Sequence, residues 1–191
     1  QYHYFTGDAV TLGQALLSLN KMLEGGIYDH VGGGFSRYST DAEWLAPHFE
    51  KMTYDNALLL LVLAEAFQLT ADQEYKRVAM ETIGFMQREL QAANGGFYAA
   101  LDADSEGEEG KFYTWGKKEF DQILGEDAAA IAALYDVTEH GNWEEVNILH
   151  MQKSVQEWAN DVGLEEGAAL NLLSEAKYPN APLNPRSLKK R

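Results

Sequence analysis

The 191-residue chain contains no cysteine, which removes disulfides, thiol redox chemistry, cysteine nucleophiles and Cys-ligated zinc at once. Basic residues are few: Lys+Arg 15 stand against Asp+Glu 30, a formal net charge of -15. A nucleic-acid backbone or an anionic lipid surface would be repelled, so neither nucleic acid nor membrane is expected as a partner. The basic run Arg186 to Arg191 is the exception and reads as a solvated end or linker. No long hydrophobic run is present either. The longest, Ala57 to Ala66, falls well short of the roughly 20 residues of a membrane span. No signal-peptide pattern opens the chain, and the expected location is cytoplasmic. Proline is scarce, 4 in all, and three of these lie in Pro179 to Pro185, an extended exit. With 46% hydrophobic residues, what remains is a globular composition with a real core, divided into one domain over 1–178 and an extended basic tail or linker over 179–191.

Helical periodicity accounts for most of that domain. From Asp8 to Glu24, Leu12, Leu16, Leu19 and Leu23 recur at spacings of three and four, and Gly25 supplies a C-terminal stop. A second helix is expected over Phe49 to Leu69. Its middle, Leu58 to Ala64, is apolar all round, which suits an inner helix enclosed on every face. Asp72 can cap a third, amphipathic helix reaching about Leu90. Shorter helices are expected at Lys117 to Leu124, Asp127 to Tyr135, Ser154 to Val162 and Glu165 to Lys177. Helix, Gly-Gly loop, helix, tight turn, helix, Gly-Gly loop is an up-down alternation, so the loops opening at Gly25 and Gly95 emerge at one end. They are also related: Gly25-Gly26-Ile27-Tyr28 is echoed by Gly95-Gly96-Phe97-Tyr98, as in a repeated helical hairpin.

The chemistry-bearing residues crowd into these loops. The first carries His30, Arg37, Tyr38, Trp44, His48, Glu50, Tyr54 and Asp55, and so many ionisable groups beside an apolar helix usually line a pocket. Gly32 to Gly34 read as a tight turn. Glu50 reads equally well as a favourable first-turn charge, and Asp55 as a structural tie between loop and helix. The second loop has aromatic, β-prone ends around an acidic middle, as expected of a β-hairpin across a pocket mouth. Its Asp102, Asp104 and Glu106 match the start of a calcium loop, but the twelfth position is Tyr113 where a bidentate acid is needed. Neither a metal nor another cofactor is expected.

Three stretches, Gly25 to Ser39, Pro47 to Asn56 and Gly95 to Trp115, closely resemble the YyaL-like proteins, the spermatogenesis-associated protein 20 family. Gly141-Asn-Trp-Glu144 and Asn147-Ile-Leu149 also fit. In that family a thioredoxin-like domain precedes a helical toroid similar to six-hairpin glycosidases and N-acylglucosamine 2-epimerases. The resemblance therefore implies an all-α fold, a partial α/α toroid with short β-hairpins in the Gly-Gly loops. The chain looks like the front part of that toroid, without the thioredoxin-like part and without the family's later Asp-Asp-Lys and Trp-Asn motif. Ser36 stands where the family often has histidine, which puts in doubt a mechanism that needs a base there.

A toroid pocket lined by aromatics and carboxylates suits pyranose rings, so the leading expectation is a carbohydrate-directed domain, inactive by itself. Epimerisation needs an acid-base pair, for which His30 and His48 are the available histidines. Hydrolysis needs paired carboxylates, for which Asp55 with Asp102 or Asp104 are candidates. Arg37, Tyr38, Trp44, Glu50, Tyr54 and Glu106 would contact a small-molecule, sugar-like substrate. The alternative is a non-catalytic binding or scaffold module serving the thioredoxin-like domain of a longer protein. A cut ring would also expose apolar surface and self-associate.

Overall fold

A computed structural model describes residues 2–177; the Pro179 to Pro185 exit and the basic tail lie outside them. After a short helix α1 (Tyr2–Thr6), α2 spans Ala9–Glu24. Asp8 caps α2 as the sequence predicts, its carboxylate accepting the N–H groups of Val10 and Thr11 at 3.0 and 3.4 Å, and Gly25 closes it with an N–H donated to Lys21. Two-residue strands follow: β1 (Tyr38–Ser39), β2 (Pro47–His48) and β3 (Lys51–Met52). Next come α3 (Thr53–Thr70) and α4 (Gln73–Phe85), the latter capped by Asp72 onto Glu74 N at 2.9 Å and prolonged by one π-helical turn, Met86–Leu90.

The second helix therefore starts at Thr53 and not at Phe49. The reason is non-local. Pro47–His48 pairs antiparallel with Tyr38–Ser39, and Lys51–Met52 with β4 (Ala100–Leu101). Their backbone groups are spent on ladders that no local helical pattern reveals. The β3–β4 pair also joins the two Gly-Gly segments at one end of the helices, as the up-down count requires. Beyond β4, the hairpin β5 (Asp104–Ser105) and β6 (Glu108–Glu109) forms in the acidic middle of the second loop, and β7 (Thr114–Trp115) pairs with β8 (Asn147–Ile148). The remaining helices are α5 (Lys117–Leu124), α6 (Ala128–Tyr135), α7 (Val155–Val162) and α8 (Glu166–Lys177), within a residue of their expected limits.

Side chains bury in three clusters. Leu19 and Leu23 of α2 meet Leu63 and Ala66 of α3 and Tyr75 and Val78 of α4, with Tyr28 and Phe35 of the first loop against them. The C-terminal helices close around Trp158, Ile131, Leu134 and Phe120. Between them, Ala46, Phe49, Ala103 and Ile148 lock the loops together. The expectation that α3 is enclosed on every face is corrected here: Leu63 is fully buried, but Leu58 is 59% and Leu61 63% exposed. One stripe, at Asn56, Leu63 and Ala66, is buried. Uniform hydrophobicity allows burial all round; in the described residues the packing supplies one side. No described helix is long and apolar enough to cross a membrane.

Candidate functional site

At the start of α3, a group of polar side chains assembles from both loops. Met52, extended at φ -96°, precedes the helix without a side-chain cap, and Asn56 one turn in does the anchoring. Its amide accepts from Phe35 N at 2.7 Å and donates to Phe35 O at 3.0 Å and Met52 O at 2.9 Å. A side-chain amide carries one acceptor and two donors, and Asn56 spends them all on the backbone of the first loop and of β3. That fixes Tyr54 and Asp55 relative to the loop.

Around them, Arg37 donates to Glu50 at 3.1 Å. The Tyr54 hydroxyl and Glu50 hold the Arg37 guanidinium more firmly charged than usual. His48, on β2, lies with its ring 5.2 Å from that of Tyr38. Its Nδ1 bonds Glu109 Oε1 on β6 at 2.6 Å, and its Nε2 lies 3.7 Å from Glu50. Because a carboxylate only accepts, the Nδ1–H is the donor and Nε2 carries the lone pair when the ring is neutral. Asp55 has a buried Oδ2 with no hydrogen-bond partner. Desolvation, helped by Glu50 and opposed by Arg37, pushes its carboxyl above the usual range. A carboxyl whose pKa is raised and an imidazole oriented by a carboxylate are the two components of acid-base chemistry.

The other candidates stand apart from this group. Asp102 and Asp104 are exposed, and Asp102 accepts from the N–H of Asp104 at 3.1 Å. The β3–β4 ladder ends at Lys51 opposite Leu101, one residue before Asp102. Glu106 sits at the hairpin tip with φ 55° and pairs with Lys111 at 3.0 Å. Trp44, also left-handed at φ 63°, turns its carbonyl to Gly26 N at 2.8 Å. The bend carrying it is held by Asp41, whose carboxylate accepts from Glu43, Leu45 and Ala46 N–H at 3.0, 3.0 and 2.7 Å.

His30 belongs to a different place, a cavity of about 330 Å³ between the first loop, α4, the 112–115 and 148–149 segments and Lys177 at the end of α8. Its Nε2 donates to Gly25 O at 3.0 Å. Burial, reinforced by Lys177, lowers its pKa to about 3, so the ring is neutral. The two histidines thus sit in separate environments, one in the cavity wall and one in the Asp55 group.

Sequence reasoning missed the buried charges of this region. Lys51, 1% exposed, pairs with Asp29 at 2.7 Å and donates to Gly33 O at 2.9 Å, with the Phe85 and Tyr113 rings 4.5 and 4.8 Å from Nζ. Burial pushes the Asp29 carboxyl up, but Lys51 and the N–H groups of Gly32 and Val31 outweigh it and hold it below the usual value. Tyr28 donates to Glu81, which also binds Arg77 at 2.6 Å. Burial, then the Glu81 charge, drives the Tyr28 hydroxyl well above its ordinary pKa. One signal was available: in an extended segment Lys51 shares the face of Phe49, and both are buried. Gly33 and Gly34, at φ 75° and 77°, make the tight turn, and what approaches them is α4, since a Cβ would stand 2.7 Å from Glu81 O and 2.3 Å from the Phe85 ring.

No protein-family model matches the chain. It is similar to spermatogenesis-associated protein 20 of Homo sapiens, 38% identical over 199 residues, covering 90% of this chain and 25% of that protein. The protein of the same name in Mus musculus is 47% identical over 131 residues, 65% of this chain and 17% of its own length. An uncharacterized protein of Caenorhabditis elegans is 42% identical over 129 residues, 63% and 18% respectively. The chain spans a quarter or less of the length of these curated relatives.

Proposed function

Because the chain belongs to the spermatogenesis-associated protein 20 family, we propose that it supplies the front hairpins of an α/α toroid whose acid-base group acts on a sugar. The observation that carries the reading is Asp55, a partly buried carboxyl with raised pKa and an unpartnered Oδ2, near Arg37 and Glu50. Asp55 is the acid. His48, oriented by Glu109, is the base. Such a pair exchanges the proton on a carbon next to a carbonyl, the step on which epimerisation depends. Tyr38 offers an exposed ring for the apolar face of a pyranose, and Arg37 and Tyr54 offer donors for its hydroxyls. The up-down order of α2, α3 and α4 and the open apolar side of α3 support the toroid.

The test uses an intact family protein that contains these residues, incubated with a panel of free and N-acylated reducing sugars in D2O and followed by proton NMR. Deuterium is expected at the carbon beside the carbonyl for at least one sugar, with the rate falling at least about 100-fold in His48→Ala and Asp55→Asn. Exchange that survives both substitutions, or none with any sugar, defeats the assignment. The second outcome favours a scaffold role beside a thioredoxin-like domain, for which the exposed Leu58, Leu61 and Val62 would serve as a contact face. The same face should make the isolated chain self-associate; a concentration-independent monomer by light scattering would contradict that.

A further inference from the structure

The cavity that holds His30 shares none of Arg37, His48, Glu50, Tyr54 or Asp55. Charge is balanced in and around it. Asp29 is matched by Lys51 at 2.7 Å, Arg77 by Glu81 at 2.6 Å and by Glu74, and Arg88 by Glu89 at 2.8 Å. Burial works against the charge of Lys177, but Tyr135 and Glu81 restore it. Each ionic group of the wall thus has a partner of opposite sign, and an ion of either sign would upset that balance.

Hydrogen-bonding capacity is not balanced in the same way. His30 is 2% and Ser36 4% exposed, and both line the cavity. The His30 ring donates through Nε2 to Gly25 O, and because the ring is neutral its Nδ1 is an acceptor. Neither that nitrogen nor the Ser36 hydroxyl has a hydrogen-bond partner among the described residues. A buried acceptor left unmet costs more than a made hydrogen bond returns, and here the unmet acceptor belongs to the wall of a space from which a ligand could meet it. The rest of that wall is apolar and largely aromatic, including Met80, Phe112, Tyr113 and Trp115. The volume of about 330 Å³ lies at the lower end, about 300 Å³, of sites that take small organic molecules. We propose that this cavity binds a small uncharged aromatic molecule carrying an N–H or O–H group, with that group donating to His30 Nδ1 and the ring lying against Phe112, Tyr113 and Trp115.

Indole and benzofuran share one ring frame and differ at a single position, an N–H in the first and an ether oxygen in the second. In NMR titrations of the whole chain at pH 7, indole is expected to bind at least about threefold more tightly, a factor within reach of one hydrogen bond between uncharged groups. The Nδ1 resonance of isotope-labelled His30 should move with indole and stay in place with benzofuran. His30→Phe keeps a flat ring in the wall without the acceptor, and the preference for indole should disappear there. Equal affinity for the two probes, no binding of indole, a preference unchanged in folded His30→Phe, or an Nδ1 resonance that indole does not move overturns the proposal. The resonance is read on the unaltered chain, so that outcome does not depend on the variant folding. None of these readouts depends on Asp55 or His48, so the sugar-directed reading stands or falls separately.

Discussion

Gly25-Gly26-Ile27-Tyr28 and Gly95-Gly96-Phe97-Tyr98 are near copies in sequence and opposites in surroundings. Tyr28 is 1% exposed and Tyr98 60%. A Cβ on Gly26 would lie 2.1 Å from Leu45 O and 2.4 Å from Ile148, whereas one on Gly96 would meet only Asn94 Oδ1 at 3.3 Å. The first loop is walled in because the chain returns to it: Met151 N donates to Glu24 O at 2.7 Å, and the Tyr135 ring lies 5.2 Å from that of His30. In the second loop the copied residues, Gly95 to Tyr98, are all exposed. The copies also part company at the next two positions, Asp29-His30 in one and Ala99-Ala100 in the other. A repeated motif therefore sets backbone shape, and later segments decide whether that shape becomes an interior.

Substitutions matched between the loops test that difference. The largest effect is expected from Lys51→Met, which leaves Asp29 buried without its partner and should cost about 3–5 kcal/mol in urea unfolding. Lys111→Met in the second loop, at a fully exposed ion pair, should leave the midpoint where it is. Equal shifts would show that the first loop is not a sealed interior.

Acid should discriminate next. The folded pKa of His30, about 3, lies below its ordinary 6.5, so between these values the unfolded chain binds the extra proton. Stability is then complete above pH 6.5 and declines as pH falls, by roughly 2–3 kcal/mol at pH 4.5. His30→Gln should flatten that slope, and an unchanged slope would mean that the ring is not held neutral. Asp29, whose folded pKa is also depressed, contributes in a lower window. Its stabilisation is present above its unfolded value near 3.9 and is lost below it. This second decline should vanish in Lys51→Met.

Smaller effects follow. Gly26→Ala should destabilise by roughly 1–3 kcal/mol through overpacking, and Gly96→Ala by less than about 0.5 kcal/mol, both read as shifts in thermal midpoint. Of similar size, Tyr28→Phe removes one buried hydroxyl contact to the Glu81 carboxylate, worth about 1.5–3 kcal/mol, while Tyr98→Phe should be silent. A silent Tyr28→Phe would locate the burial of the first loop in its glycines alone.

The parts of the fold that could be read from sequence are those whose causes are local. Asp8 and Asp72 cap helices from one residue away, and the apolar stripe of α4, Tyr75, Val78, Thr82 and Phe85, is buried as its spacing implies. The start of α3 was misread because Lys51–Met52 takes its partners from 100–101. The Tyr28–Glu81 contact crosses 53 positions, and no periodicity reports it. At the candidate site, Arg37, His48, Glu50 and Asp55 were visible as a crowd of ionisable groups, but Glu109, 61 residues beyond His48, was hidden inside what looked like a plain acidic hairpin.

Asn56 gives the first turn of α3 an angular index. Successive helical residues are displaced by about 100° around the axis, so a slip of one residue would present the carboxylate of Asp55 to Phe35 N and O. A carboxylate could still accept from the N–H, but it would repel the carbonyl oxygen, to which the amide donates. The helix is thereby keyed to the loop in one rotational setting, and Asp55 inherits its bearing from the residue beside it.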